Sequence, residues 1–271
     1  MISFVGAGPG APDLLTLRAA RRLADADVVV WASSLVPAEV LAHCREDVKL
    51  HDSAGMTLED VLAVYAAHPG ARITRLHSGD VSVYSSIAEQ IAWCVQQERE
   101  FEIVPGVGSL AAAAATAGVE LTVPGVAQSA VLTRLGAGRT AASMPAGESV
   151  AEFAKHGTTM AVYLSASRPG QLREELLAGY PGDTPAIVVA KASWPDETVI
   201  TTTVDALADA LAGSGIRTVA LVLVGPALRA AGEVAVQRSR LYDPAYSHGC
   251  RRRSVQGSTT GRPIPTEKRR V

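Results

Sequence analysis

The residues whose types and spacing point most clearly to ligand chemistry lie near the N-terminus. Gly6, Gly8 and Ala11 have the spacing of loops that bind a dinucleotide pyrophosphate at a helix N-terminus. Two features argue against a nicotinamide cofactor. Pro9 has no N–H to donate to a phosphate, and the next predicted strand, which ends at Trp31, is not followed by the acidic residue that binds ribose hydroxyls. A NAD(P)-dependent oxidoreductase is therefore only an alternative.

Two more loops of similar composition follow later strands. The first is 77–86, with Gly79 and Asp80, and the second is 106–110, after which an alanine-rich helix begins. In each case an apolar strand runs into a loop of small residues and then into a helix. Because ligands of open parallel sheets bind beyond the carboxyl ends of the strands, we expect the three loops to form one site.

These loops require a particular set of elements to position them. The order of strands and helices predicts an α/β fold with two α/β domains, the first with a mainly parallel sheet and the second with a mixed sheet. The segment 129–133 is interpreted as the last strand of the first half, and the active site is expected in the cleft between the halves. The predicted divisions are an N-terminal domain at 1–135, a linker or active-site loop at 136–148, a C-terminal domain at 149–253 and a disordered tail at 254–271.

Composition narrows the class of protein. The chain has 271 residues, 48% of them hydrophobic, and a formal net charge of −2, so nothing draws it as a whole to nucleic acid or to a membrane. Cys44, Cys94 and Cys250 lack the spacing of metal ligands, and we expect no protein-bound metal. No secretory signal or apolar stretch of membrane-spanning length is evident, so we expect a cytoplasmic protein.

Three strings together resemble the tetrapyrrole methylase family, which transfers methyl groups from S-adenosyl-L-methionine and releases S-adenosyl-L-homocysteine. They are Val-Gly-Ala-Gly-Pro-Gly at 5–10, Ser-Gly-Asp-x-x-Val-Tyr at 78–84 and Val-Pro-Gly-Val-x-Ser at 104–109. The resemblance runs from residue 1 to about 253 and implies a homodimer that binds a small-molecule tetrapyrrole. Further strings, such as 31–37, 121–129 and 192–196, resemble the members that methylate C-11 of precorrin-4 in cobalamin biosynthesis. Cobalt-precorrin-4 of the anaerobic route is an alternative substrate.

The resemblance also implies which residues contact the cofactor, which family members bind largely through the backbone. The matching positions are Pro9, Ser78, Gly79, Asp80, Val83, Gly108, Ser109, Leu164 and Ala192. Asp80 either orients a polar group of the cofactor or ties its own loop together as an Asx turn. The usual Gly-Asp-Pro of the family is Gly-Asp-Val here, a departure that affects the rigidity of this loop.

The implied substrate carries many carboxylates, which guanidinium groups bind in bidentate fashion. The basic residues predicted near the cleft are Arg134, Arg139, Arg168, His77 and Lys191. No catalytic base is identified, because Ser33 stands where members acting on uroporphyrinogen carry an aspartate. That departure argues against uroporphyrinogen as the substrate. A ligand-binding regulator that kept the cofactor cleft without turnover is a non-enzymatic alternative.

Overall fold

The computed structural model describes residues 1–136, 143–229 and 237–263. The first half contains a five-stranded sheet in the order β3-β2-β4-β1-β5, with all neighbours parallel. Its strands are β1 (Ile2–Gly6), β2 (Val28–Trp31), β3 (Lys49–Asp52), β4 (Ile73–His77) and β5 (Phe101–Val104). Its helices are α1 (Leu17–Asp25), α2 (Leu58–Ala67), α3 (Ala88–Gln96) and α4 (Ser109–Ala117). The predicted parallel sheet is confirmed.

The first loop reaches its helix less directly than the sequence predicts. A helix is expected immediately after Asp13, but Pro12–Leu14 form a single 3₁₀ turn and α1 begins at Leu17. Thr16 provides the cap, because its Oγ1 accepts a hydrogen bond from Ala19 N at 3.1 Å. This cap residue starts a new helix and thereby separates the glycine loop from α1.

Strand β3 is absent from the sequence-based prediction. It lies at the edge of the sheet, it is mostly exposed, and its sequence Lys-Leu-His-Asp has no β-branched residue. A polar edge strand is recognised only by its pairing with β2, where Val28 is opposite Lys49. The alternation of buried and exposed residues that predicts strands is missing here.

The second half contains a mixed five-stranded sheet in the order β6-β7-β10-β8-β9, as predicted. Its strands are β6 (Ala130–Arg134), β7 (Thr159–Tyr163), β8 (Pro185–Ala190), β9 (Thr198–Thr203) and β10 (Ala220–Val224). Its helices are α5 (Val150–Ala154), α6 (Pro169–Leu177) and α7 (Leu207–Ser214). Only the pair of β6 and β7 is parallel, whereas β10 runs antiparallel to β7 and β8.

One assignment is corrected by this pairing. The segment around β6 was expected to close the sheet of the first half, but β6 pairs with β7 from Ala130 opposite Thr159 to Arg134 opposite Tyr163. The division between the sheets therefore falls between α4 and β6, earlier than residue 135. Local sequence predicts a strand here but carries no information about which sheet accepts its hydrogen bonds.

Helix α4 links the halves by packing. Its Ala113 is buried against Ile187 and Val189 of β8 and against Leu221 and Leu223 of β10. The helices α5, α6 and α7 cover the opposite face of the same sheet. Because an alanine side chain is short, the backbone of α4 approaches the second sheet closely. The alanine-rich composition of α4 thus sets the distance between the two halves.

The sequence predicts a disordered tail at 254–271, but part of this segment pairs with an earlier strand. Arg262–Pro263 (β12) pairs antiparallel with Arg251–Arg252 (β11), so residues 254–263 belong to a short exposed hairpin. The rest of the predicted tail, 264–271, lies outside the described residues.

Candidate functional site

The three glycine loops meet backbone to backbone. Gly8 N donates to Gly79 O at 3.1 Å, and Gly79 N donates to Gly8 O at 2.7 Å. A Cβ added to Gly6 would lie 2.6 Å from Gly106 N, and one added to Gly106 would lie 2.8 Å from Gly6 Cα and closer still to the Gly79 carbonyl oxygen. Side chains do not fit between these strands' ends, so the glycines are required for contact among the loops themselves.

Asp80 joins the second loop to the third. Its carboxylate accepts hydrogen bonds from Gly106 N at 2.8 Å and from Ser82 N at 2.9 Å, and also from the Ser82 hydroxyl. Burial alone raises the pKa of Asp80, but these hydrogen bonds outweigh it and the pKa lies below its usual value. The carboxylate is therefore ionised at neutral pH. Its bond to Ser82 N lies within its own loop, as the Asx-turn interpretation predicts, whereas its bond to Gly106 N ties this loop to the third and was not predicted.

Beyond this junction, a cavity of about 650 Å³ lies between the two halves. Its size is typical of pockets for small molecules. Six of the residues predicted to bind cofactor or substrate line it, namely Pro9, Ser78, Ser109, Leu164, Ala192 and Arg168. They come from separate loops of both halves, so the structure brings together positions that are far apart in the sequence.

Other predicted cofactor residues stand behind this wall. The described residues that line the cavity do not include Gly79, Asp80, Val83 or Gly108. Gly79 and Gly108 directly adjoin the lining residues Ser78 and Ser109, and Gly108 precedes the first turn of α4. In this structure Gly79, Asp80, Val83 and Gly108 belong to the loops that hold the lining residues in place.

His77 is predicted to bind substrate, but its surroundings in the structure do not favour that role. Its side chain is only 8% exposed, beneath the loops at the end of β4, and it does not line the cavity described between the halves. Burial, and to a smaller extent the positive charge of Arg75, lowers the pKa of His77 to about 3. A neutral, buried imidazole cannot supply a cation to a substrate carboxylate at neutral pH.

Burial of His77 makes stability depend on pH. The unfolded chain protonates this imidazole below about pH 6.5, whereas the folded protein does so only near pH 3. In that window the unfolded state binds more protons, so stability falls as the pH is lowered. We expect this group to cost about 2 kcal/mol between pH 7 and pH 5. Urea unfolding of the wild type and of His77→Gln at pH 7 and pH 5 measures this loss of stability. Equal pH dependence in both proteins would contradict the assignment.

The remaining predicted basic residues have different surroundings. Lys191 forms an ion pair with Asp196, its Nζ lies 5.7 Å from the centre of the Trp194 ring, and it is not among the described lining residues. Arg134, at the end of β6, donates to Ser143 Oγ at 2.9 Å. The prediction for Arg139 falls outside the described residues.

Sequence reasoning missed the segment just before β10. Arg217, Thr218 and Val219 line the cavity, although they precede a strand. Because β10 runs antiparallel to β8, its beginning lies beside the end of β8, where Ala220 is opposite Ala190. A search limited to the carboxyl ends of strands overlooks such a segment. The signal available in the sequence was an arginine and a threonine directly before a fully apolar run.

The wall of the cavity has a distinctive chemistry. Its described lining residues include Arg168 and Arg217, several Ser and Thr residues, and no Asp or Glu. Tyr163 OH lies 3.3 Å from Ser109 Oγ, and the Tyr163 ring is 5.1 Å from that of Tyr84. Burial raises the pKa of Tyr163, so its phenol stays protonated at neutral pH. The two arginines can pair with negative charge on a ligand, whereas most of the other lining residues are apolar.

Unusual backbone conformations concentrate around this cavity. Leu164 and Val219 line it with φ values of 52° each, and Lys191 and Ser193 flank the lining residue Ala192 with φ values of 50° and 67°. Non-glycine residues rarely adopt positive φ, and such strain collects at functional sites. The conformation is thus further support for a ligand site in this cleft.

The second half contacts the first glycine loop and engages one of its amides. Ala11 N donates to Ser193 Oγ at 3.0 Å, and Pro9 has no N–H. A Cβ at Gly10 would overlap the ring of Trp194. These contacts occupy the turn at which a pyrophosphate would bind, and the oxidoreductase alternative is not supported. Among the described residues there is no group of three or more His, Cys, Asp or Glu that could hold a metal, and no helix long and apolar enough to cross a membrane.

Comparisons with known proteins agree with this geometry. The family model for tetrapyrrole (corrin/porphyrin) methylases matches residues 1–208. A precorrin-4 C(11)-methyltransferase of Rhodococcus erythropolis is 45% identical over 233 residues, which cover 85% of this chain and 93% of that protein.

Solved structures show the same similarity. The X-ray structure of a cobalt precorrin-4 methyltransferase has a TM-score of 0.81 at 40% identity and covers 84% of this chain and 96% of its own. A uroporphyrin-III C-methyltransferase from Thermus thermophilus was solved in complex with S-adenosylhomocysteine. It has a TM-score of 0.69 at 29% identity, and the match covers 84% of this chain and 98% of that one. With the matched family model, these similarities identify the chain as a member of the tetrapyrrole methylase family.

Proposed function

We propose that this protein is an S-adenosyl-L-methionine-dependent C-methyltransferase that methylates C-11 of precorrin-4 to give precorrin-5 in cobalamin biosynthesis. The observation that carries the proposal is the cavity between the halves. It is lined by residues of the glycine loops and by residues of the second half. The similarity to a precorrin-4 C(11)-methyltransferase over most of the chain supports the choice of substrate.

The lining residues fit the cofactor. Pro9, Leu164 and Ala192 offer small apolar contacts, and the hydroxyls of Ser78 and Ser109 offer hydrogen bonds. When bound here, S-adenosyl-L-methionine would supply an electrophilic methyl group to the ring carbon. The predicted residues behind this wall, Gly79, Asp80, Val83 and Gly108, act by holding the loops in place. A related methyltransferase was solved with S-adenosylhomocysteine.

Arg168 and Arg217 are the groups that we propose for substrate carboxylates. Both residues line the second-half wall of the cavity. Bidentate contacts would fix the macrocycle against the methyl donor, and such positioning can lower a barrier by roughly 7–11 kcal/mol in the most favourable models. A reduced tetrapyrrole carbon is already electron-rich, so positioning is the main task of the protein. Arg134, at the end of β6, is retained as a further contact.

Cobalt-precorrin-4 is the second proposed substrate, because the cobalt precorrin-4 methyltransferase structure matches this chain with a TM-score of 0.81. The test is a paired assay in which purified protein and S-adenosyl-L-methionine are incubated with each macrocycle. A mass gain of one methylene unit, with a ¹³C-labelled methyl located at C-11 by NMR, is the expected result. Saturable S-adenosylhomocysteine binding without turnover of either macrocycle would favour the regulator alternative.

We also propose that the protein works as a homodimer in the cytoplasm. Strand β5 lies at the edge of the first sheet, where Phe101 and Ile103 are 37% and 49% exposed. An edge strand with exposed apolar side chains is a suitable surface for association. Analytical ultracentrifugation is expected to give twice the chain mass of 28.1 kDa, and a monomer at micromolar concentration would contradict this proposal.

A further inference from the structure

The segment 191–197, which we call the 191–197 hairpin, connects β8 to β9 and extends from the second half to the first glycine loop. Trp194 Nε1 donates to Pro9 O at 2.9 Å. Beside this bond, Ser193 Oγ accepts from Ala11 N at 3.0 Å. Two hydrogen bonds therefore join adjacent residues of the hairpin to a loop more than 180 positions away in the chain.

A third contact secures the same hairpin to α4. Glu197 Oε2 accepts from Thr116 Oγ1 at 2.9 Å and from Ser193 N at 2.6 Å. The carboxylate therefore links α4 to the residue that binds the glycine loop. Because Thr116 belongs to the first half, the hairpin is attached to that half at two separate places.

The conformation of the hairpin fixes the indole in one orientation. Lys191 and Ser193 have φ values of 50° and 67°, which turn the chain sharply on both sides of Ala192. Trp194 N donates to Lys191 O at 2.9 Å, and the Lys191 ammonium lies over the indole ring while it pairs with Asp196. Such strain persists only where the surroundings over-determine it.

Gly10 is fitted to this indole. A Cβ at this position would overlap the Trp194 ring, so only glycine permits the observed approach. In the sequence, Gly10 is part of the motif interpreted as ligand-binding. Here its missing side chain accommodates a tryptophan of the other half.

We infer that Trp194 is a positioning residue that sets the width of the cofactor cavity. Pro9 and Ala192 both line this cavity, one from each half. Pro9 accepts the indole hydrogen bond, and Ala192 lies two residues before Trp194 in the hairpin. The Trp194 N–H therefore holds the two walls at the spacing that the adenosyl cofactor requires. This inference rests on the proposed function.

The test is Trp194→Phe, which keeps an aromatic side chain beside Gly10 and removes the N–H donor together with part of the indole ring system. Losing one hydrogen bond of ordinary strength corresponds to about a fivefold to tenfold change in an equilibrium constant. We expect the calorimetric Kd for S-adenosylhomocysteine to rise by up to that factor, while Tm falls by no more than about 5 °C. Trp93→Phe is the matched control, because Trp93 packs on Tyr65 at 5.8 Å in the first half, and it should leave Kd unchanged.

Ser193→Ala provides an independent variant, since it removes the acceptor for Ala11 N and leaves the indole in place. It is expected to weaken binding in the same direction, and it decides the matter if Trp194→Phe proves too unstable to titrate. Wild-type affinity in both variants would overturn the inference, as would an equal loss in Trp93→Phe. A wild type that fails to bind S-adenosylhomocysteine would instead overturn the proposed function.

Discussion

Gly106→Ala is expected to weaken S-adenosylhomocysteine binding by at least tenfold and to lower Tm by roughly 5–10 °C. The new Cβ would lie 2.8 Å from Gly6 Cα and nearer still to the Gly79 carbonyl oxygen. These are backbone atoms of the other two loops, so neither can move aside without separating the loops. Overpacking of this kind typically costs 1–3 kcal/mol, occasionally more, and in a chain of this size each kcal/mol lowers Tm by about 2–4 °C.

Gly70→Ala is the matched control for this substitution. A Cβ at Gly70 would meet no atom within 4 Å, so both Tm and the Kd for S-adenosylhomocysteine should stay at their wild-type values. Differential scanning calorimetry and isothermal titration measure the two quantities on the same preparations. Wild-type values in Gly106→Ala would show that the three loops do not depend on close backbone contact.

The double variant Arg168→Ala/Arg217→Ala is expected to raise the KM for the tetrapyrrole by about 10- to 100-fold. Each arginine is exposed before the substrate binds, so we allow about 0.7–1.4 kcal/mol per charge-assisted contact. The Kd for S-adenosylhomocysteine should change by less than about twofold. Steady-state kinetics with the macrocycle varied and cofactor titration by calorimetry separate these effects.

Arg18→Ala/Arg21→Ala controls for the loss of two positive charges, because both residues are exposed on α1 and neither is among the described lining residues of the cavity. This variant should keep the wild-type KM. If the double variant at 168 and 217 lost cofactor affinity and kept its KM, these guanidinium groups would bind the carboxylate of the cofactor, contrary to our assignment.

The local sequence is sufficient to predict features that depend only on neighbouring residues. The run Thr-Leu-Glu-Asp at 57–60 has the sequence pattern of a capping box, and Thr57 and Asp60 are bonded reciprocally in the structure. The glycine loops were also recognisable as one site, although the reason for their glycines was not. Gly6 and Gly106 are needed because they touch each other, and that contact depends on the parallel pairing of β1 with β5.

Features that depend on which strands pair could not be predicted from the sequence. β6 was assigned to the wrong sheet, and Arg217 was missed, because both depend on hydrogen bonds between distant strands. Burial is equally non-local. His77 directly precedes Ser78, yet Ser78 lines the cavity and the imidazole is packed near Phe4 with a ring distance of 6.3 Å.

Calorimetric titration of the wild-type protein with S-adenosylhomocysteine, with NADH as the comparison ligand, tests the proposed cofactor site most directly. The cavity between the halves predicts saturable binding of S-adenosylhomocysteine at one site per chain and no heat of binding from NADH. Saturable binding of NADH with none of S-adenosylhomocysteine would contradict the proposal, because the first glycine loop would then have to release Trp194 and Ser193 to hold a nucleotide.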